Sequence, residues 1–244
     1  MNYSIGCDIS HYQDDPTTLT RHVNFDQMKL NGADFCFMKA SQTLWTDKTF
    51  KPHWIGAKDA GLLRGAYHFL TFDVDGRKQA EYYWSLIEHD PGELPPVCDY
   101  ERFGNIPGSA SDYLWAFCST IERLSGVTPI IYTGAFFWNE TVPRSATWRK
   151  FPLWMASYTS QSYMEANVAR LTPWDAWTFW QFTDKGNGNN YGAESKQIDL
   201  NYYNGTTEQL LAKYAGVHVP PTQPEYTDDE KLTLLWDAHP ELHR

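Results

Sequence analysis

The sequence lacks any apolar run near the ~20 residues of a membrane-spanning helix, which excludes helical insertion into a bilayer. It also lacks a cluster of Lys or Arg. With 30 acidic against 20 basic residues the formal charge is −10, so nucleic acid and anionic membrane surfaces are poor partners. The opening Met1-Asn2-Tyr3-Ser4-Ile5-Gly6 has neither the basic nor the apolar part of a signal peptide. As written, the chain is expected to be made and left in the cytosol. Cysteine is scarce, at four residues, and the spacings match no zinc signature. Cys7, Cys36 and Cys98 lie in short apolar runs and Cys118 in a helical pattern, so buried free thiols are expected rather than a disulfide framework. The eight His include no ligand spacing such as H-E-x-x-H, so no metal and no cofactor are expected.

What is abundant is aromatic. The aromatic share is 16%, with 11 Trp and 15 Tyr, inside a hydrophobic content of 42% that is ample for a core. Aromatic faces suit the apolar C–H patches of sugar rings; a Trp-rich core is the other reading.

Strand-like and helical patterns alternate along the chain. Apolar runs at 5–10, 34–40, 64–70, 95–101, 129–133, 152–157, 177–183 and 196–200 read as eight strands. The central run of 34–40 is continuously apolar, as in a strand buried on both faces. Helical spacing fills 24–32, capped by Asn24 and stopped by Gly32, then 50–60, 76–89 and 109–124, the last stopped by Gly126. Later helices are short or doubtful. The fold expected is therefore α/β: an irregular, flattened TIM-like β/α barrel of about eight parallel strands with weak helices in the second half. A doubly wound open sheet is the competing topology, but no Gly-rich phosphate loop follows the first strand.

One stretch organises the chemistry. In Pro95-Pro96-Val97-Cys98-Asp99-Tyr100-Glu101 a short apolar strand ends on two carboxylates. Alternation puts Asp99 and Glu101 on one side, about 6–7 Å apart along the chain. Two acids so placed can divide glycoside hydrolysis, one protonating the leaving oxygen and the other stabilising the cation. The bland alternative is that Asp99 caps a turn and Glu101 is solvated. Barrel sites form at the C-terminal ends of strands, and the first and last strands of a closed barrel are neighbours. That places Asp8 and Asp199 at the same mouth as Asp99 and Glu101.

These pieces resemble the family 25 glycoside hydrolases, lysozymes that cut bacterial cell walls. The resemblance rests on Gly6-Cys7-Asp8-Ile9-Ser10-His11-Tyr12-Gln13, on Gly61-Leu62-Leu63-Arg64-Gly65-Ala66-Tyr67-His68-Phe69, and on Asp99-Tyr100-Glu101. It continues through Pro129-Ile130-Ile131-Tyr132-Thr133, Leu153-Trp154-Met155-Ala156-Ser157-Tyr158, Trp180-Gln181-Phe182-Thr183 and Ile198-Asp199-Leu200-Asn201. There is one departure: where the family commonly reads Lys-Ala-Thr-Glu-Gly, this chain has Lys39-Ala40-Ser41-Gln42-Thr43. The resemblance implies hydrolysis of the β-1,4 bond from N-acetylmuramic acid to N-acetylglucosamine in bacterial peptidoglycan. It implies Glu101 as general acid and Asp99 as partner of the sugar's 2-acetamido group. Asp8 and Asp199 would hold Asp99 and the sugar hydroxyls. Tyr67, Tyr132, Trp154 and Gln181 are the expected sugar-contacting wall, with core packing an equal alternative for Trp154. Family habit also points to a phage endolysin, made in the host cytoplasm and reaching the wall after release. A chitinase-like hydrolase of another N-acetylated glycan, and a non-catalytic carbohydrate-binding barrel, are the alternatives.

The domain reading assigns 1–216 to the catalytic barrel, 217–226 to a Pro-rich linker and 227–244 to a short helical tail. A helix of roughly a dozen residues is marginal alone in water, so the tail is expected to dock on the barrel; self-association through it is the alternative.

Overall fold

Strand periodicity builds this molecule. The computed structural model describes residues 3–14, 22–167 and 172–214. Its strands are β1 (Ser4–Ile9), β2 (Ala33–Gln42), β3 (Trp45–Thr46), β4 (Leu63–Phe69), β5 (Val97–Asp99), β6 (Ile130–Gly134), β7 (Leu153–Ala156), β8 (Phe179–Asn187) and β9 (Gln197–Tyr203). All but β3 close into an eight-stranded barrel, because β1 pairs with β2 on one side and β9 on the other. β3 is a two-residue flap antiparallel to the end of β2. The linker at 217–226 and the helix at 227–244 lie outside the described residues.

The helices α1 (Phe25–Leu30), α2 (Phe50–Asp59), α3 (Gly76–Ile87) and α4 (Ala110–Ser125) cover the first half. The Asn24 side chain accepts from the Gln27 amide at 3.0 Å and caps α1, and Gly126 at φ 70° ends α4. In the second half α5 (Ala135–Thr141), α6 (Gln161–Asn167) and α7 (Thr207–Tyr214) have only seven or eight residues each. The expected weakness of this half is thus present.

One expectation is corrected. The barrel is not all parallel: β9 runs antiparallel to both β8 and β1. The reason is the connection. Between β8 and β9 lie only residues 188–196, with a single 3-10 turn at Gly188–Tyr191. A parallel return needs a crossover of about a dozen residues or more, so the chain turns back as a hairpin.

Alternate residues on each strand supply two cores. Phe35 and Phe37 of β2, Leu63 and Tyr67 of β4, Val97, Ile130, Trp154, Phe179 and Tyr203 form one cluster, the barrel interior. Their neighbours in sequence, such as Cys36, Met38, Ala66, Cys98, Ile131, Met155 and Trp180, join the larger cluster under the helices. Gly65 makes room inside: a Cβ there would meet Phe37 at 2.2 Å. All four cysteines are buried and free. Tryptophan goes mainly into the outer core, where Trp54, Trp138, Trp148, Trp174, Trp177 and Trp180 are buried.

Thr43 is the strained point. It stands where the family pattern noted above has glycine, and its φ of 50° lies in the left-handed region that a β-branched residue rarely adopts. A hydrogen bond at 3.0 Å between the Thr43 and Thr71 hydroxyls holds it there.

Candidate active site

Parity along the strands determines what faces the barrel mouth. Continuing the inward rows gives Asp8 on β1, Lys39 on β2, Tyr67 and Phe69 on β4, Asp99 at the end of β5, Tyr132 on β6, Trp154 on β7, Gln181 on β8 and Asp199 on β9. All of these, with Glu101, line one open cleft of ≈ 270 Å³. Every one of the eight residues expected from the sequence is there.

β5 is only three residues long, yet the alternation persists beyond it. The Leu70 amide donates to the Asp99 carbonyl, and the Tyr100 amide donates to Tyr132, both at 2.9 Å. Tyr100 therefore stays outward and buried, donating its hydroxyl to Thr141 Oγ1 at 2.7 Å, and Glu101 returns to the cleft beside Asp99. Asp99 is not a turn cap. Its Oδ1 is buried without a hydrogen-bond partner among the described residues.

Asp199 reaches the mouth by a different route from the one expected. It lies near the start of β9, and only the reversed direction of that strand brings it opposite Asp8. Asp8 is buried; its Oδ2 accepts from Gln181 Nε2 and Asn201 Nδ2, each at 2.8 Å. Gln181 Oε1 in turn accepts the Tyr132 and Tyr158 hydroxyls at 2.9 Å. Gln181 is accordingly a bracket for Asp8, its carbonyl oxygen saturated by two phenols. Trp154 is the floor: 2% exposed, stacked on Phe37 at 4.3 Å, with its indole N–H donating to Asn201 Oδ1 at 2.8 Å.

Burial raises the pKa of all four acids, because water is lost from the charged forms. For Asp8, burial wins over the two amide hydrogen bonds that oppose it. Asp99 is pushed well above the carboxylate range by burial and then by Glu101, with Lys39 opposing. Glu101 is raised by burial and by Asp8. Asp199 is pushed up to about 8, first by burial and then by Asp8, to which it is hydrogen-bonded. Burial and mutual repulsion thus favour a proton shared by the Asp8–Asp199 pair. Burial also keeps the Tyr67 and Tyr132 phenols protonated.

Sequence reasoning missed Lys39, Asn201, Tyr158 and Asp184. Asn201 was legible, since it sits two residues after Asp199 on the same face of the strand. Lys39 was legible too: it shares parity with Phe35 and Phe37 at the end of an otherwise apolar run. Tyr158 and Asp184, which also line the cleft, had no signal of that kind. No group of three or more His, Cys, Asp or Glu among the described residues is arranged to hold a metal ion.

Comparison with known proteins gives this geometry a context. The chain is 28% identical over 230 residues to the uncharacterized protein YegX of Escherichia coli K12, covering 90% of this chain and 77% of that one. It is 29% identical over 226 residues to Lysozyme M1 of Streptomyces globisporus, covering 85% and 70%. The crystal structure of the bacterial lysozyme from Streptomyces coelicolor superposes with a TM-score of 0.71 at 26% identity, covering 87% of this chain and 97% of that one. A muramidase from Trichobolus zukalii gives 0.69 at 29%, covering 87% and 99%. Residues 7–191, from β1 to the turn before β9, match the profile of the glycosyl hydrolases family 25, and to that family this chain belongs.

Proposed function

We propose that the chain is a muramidase that hydrolyses the β-1,4 bond from N-acetylmuramic acid to N-acetylglucosamine in bacterial peptidoglycan. The observation that carries the reading is Asp99 Oδ1, a buried carboxylate oxygen in the cleft with no hydrogen-bond partner among the described residues, beside Glu101. A buried oxygen left unpaired costs free energy unless a ligand donor completes it, and an acetamido N–H is such a donor. Glu101, its proton held by burial, gives that proton to the glycosidic oxygen as the bond to the anomeric carbon breaks. The acetamido carbonyl oxygen attacks the anomeric carbon, and Asp99 accepts the acetamido N–H, which gains positive character as the ring closes. Water then opens that ring, with Glu101 taking back a proton. Asp8, braced by Gln181 and Asn201, and Asp199 complete the acidic lining of the cleft. Tyr67, Tyr132 and Tyr158 supply the sugar wall.

The relatives that support this reading are lysozymes and muramidases by name, among them an N,O-diacetylmuramidase of Arthroderma benhamiae at 29% identity. Two endolysin structures are also similar, but at 23% and 21% identity they speak for the fold alone. The proposal therefore concerns wall hydrolysis and names no phage origin.

Mass spectrometry of peptidoglycan digested by the purified chain tests it. New reducing ends on N-acetylmuramic acid are the expected result. Reducing ends on N-acetylglucosamine, or cleavage of chitin in preference to peptidoglycan, would refute the substrate. Binding without any cleavage would make the barrel a carbohydrate-binding protein.

A further inference from the structure

An aromatic strip leaves the cleft where β2, β4 and β5 end. Phe69, the last residue of β4, lines the cleft and meets the Phe103 ring edge-on, with 5.4 Å between centres. The Lys39 ammonium lies 4.8 Å from the centre of the Phe69 ring and 5.2 Å from that of Trp45, on the flap β3. We infer that Trp45, Phe69 and Phe103 form a platform for the glycan strand beyond the cleaved bond, with a sugar ring stacked on Trp45. The inference rests on the muramidase reading above and extends it from the cut to the polymer.

Trp45 is 42% exposed and Phe103 50%. Single exposed apolar residues need no explanation, but three rings in a row at the rim of an open cleft mark a binding surface. Their support is stiff. In the flap, Trp45 pairs with Gln42 and Thr46 with Ser41 at the end of β2. The Thr46 hydroxyl lies 2.8 Å from that of Tyr82 on α3, and the Asp47 amide donates to the Ala40 carbonyl at 2.9 Å. Between the two strands Thr43 is kept at its left-handed φ of 50°. A strained turn that ends in an exposed tryptophan fits a function better than it fits stability. The ammonium of Lys39 fixes the Trp45 and Phe69 rings and still leaves Trp45 open to solvent.

The chemistry of the rings names the occupant. The proposed substrate is a polymer, so it must cross the rim of this open cleft. In a β-1,4-linked N-acetylhexosamine strand the ring hydrogens are axial, and each sugar presents an apolar C–H face. An indole plane matches such a face in size and polarity. A stem peptide would instead need partners for its carboxylates and amides, which ring faces do not supply. Phe103 stands two residues beyond Glu101, so the strip adjoins the proposed general acid and leads outward from it.

Trp45→Ala, Trp45→Phe and Phe103→Ala test this in the full chain, with soluble glycan strands stripped of their peptides as substrate. Trp45→Ala should raise KM about five- to tenfold and leave kcat unchanged. Trp45→Phe restores a ring and should recover most of the loss, and Phe103→Ala should raise KM by less than Trp45→Ala. An unchanged KM in Trp45→Ala overturns the inference. So does a fall in kcat and Tm together, which would make the flap a structural element only. An effect confined to strands that keep their peptides also overturns it, because the strip would then be a peptide site. If Trp45→Ala does not fold, Phe103→Ala decides, since Phe103 lies outside the flap. If the wild type releases no reducing ends, the proposed function fails, while calorimetric binding of the same strands to wild type and Trp45→Ala still decides the platform.

Discussion

Asp199→Asn should stabilise this protein, and only at neutral to alkaline pH. The side chain is pushed from an ordinary 3.8 to about 8, first by burial and then by Asp8. Between those values the folded chain holds a proton that the unfolded chain has released. Folding then binds protons, so stability falls as pH rises through this window and is unaffected below it. Each pH unit is worth roughly 1.4 kcal/mol, which over roughly four units sets a ceiling near 6 kcal/mol. Asp199 is half-buried in the open cleft, and solvent screening there should leave on the order of 2–3 kcal/mol. Asparagine carries no such cost, and its amide can donate to Asp8 where the carboxyl proton did. Urea unfolding of wild type and Asp199→Asn at pH 4, 6 and 8 measures the difference. The two should agree near pH 4 and separate by that amount at pH 8 with unchanged m-values. Parallel stability–pH curves would refute the shared-proton account of Asp8 and Asp199.

Glu101→Gln should lose at least ~10²-fold in wall hydrolysis while the melting curve shows an intact fold, and Asp99→Asn should be strongly impaired as well. Near-wild-type clearing of a peptidoglycan suspension by either would remove that residue from the mechanism. At the other end of the barrel, Arg64 is 1% exposed, bonded to both Asp90 and Glu93 and set 4.6 Å from the centre of the Trp54 ring. Arg64→Ala should cost about 3 kcal/mol, the lower end for breaking a buried pair because its partners are partly exposed, with kcat of the folded fraction unchanged. Thr43→Gly should raise stability by up to about 1 kcal/mol: relief of left-handed strain outweighs the lost Thr71 hydrogen bond. A lower Tm would show that the hydroxyl contact dominates.

Local chemistry alone was enough to mark the strands, the long helices of the first half and the acid pair. Period-two alternation is a property of the backbone, so the face shared by Asp99 and Glu101 followed from their spacing. Helix stops at Gly32 and Gly126 were equally local, each glycine sitting at positive φ. The fate of the aromatics was not. Tyrosine and tryptophan suit a sugar wall and a core alike, and packing sent Tyr12, Tyr67, Tyr132 and Tyr158 to the cleft, other tyrosines such as Tyr83 and Tyr100 into the core, and most tryptophans outward under the helices. Gln181 and Trp154 were found at the site, but their bonds to Asp8 and Asn201 join residues far apart in sequence, which no local pattern encodes. The direction of β9 depended on closure. A short return forced an antiparallel hairpin, and that reversal brings Asp199 against Asp8 although it lies near the start of its strand. Side-chain identity and parity were thus written in the chain. Which acids face one another, and how far each is buried, was decided only when the barrel closed.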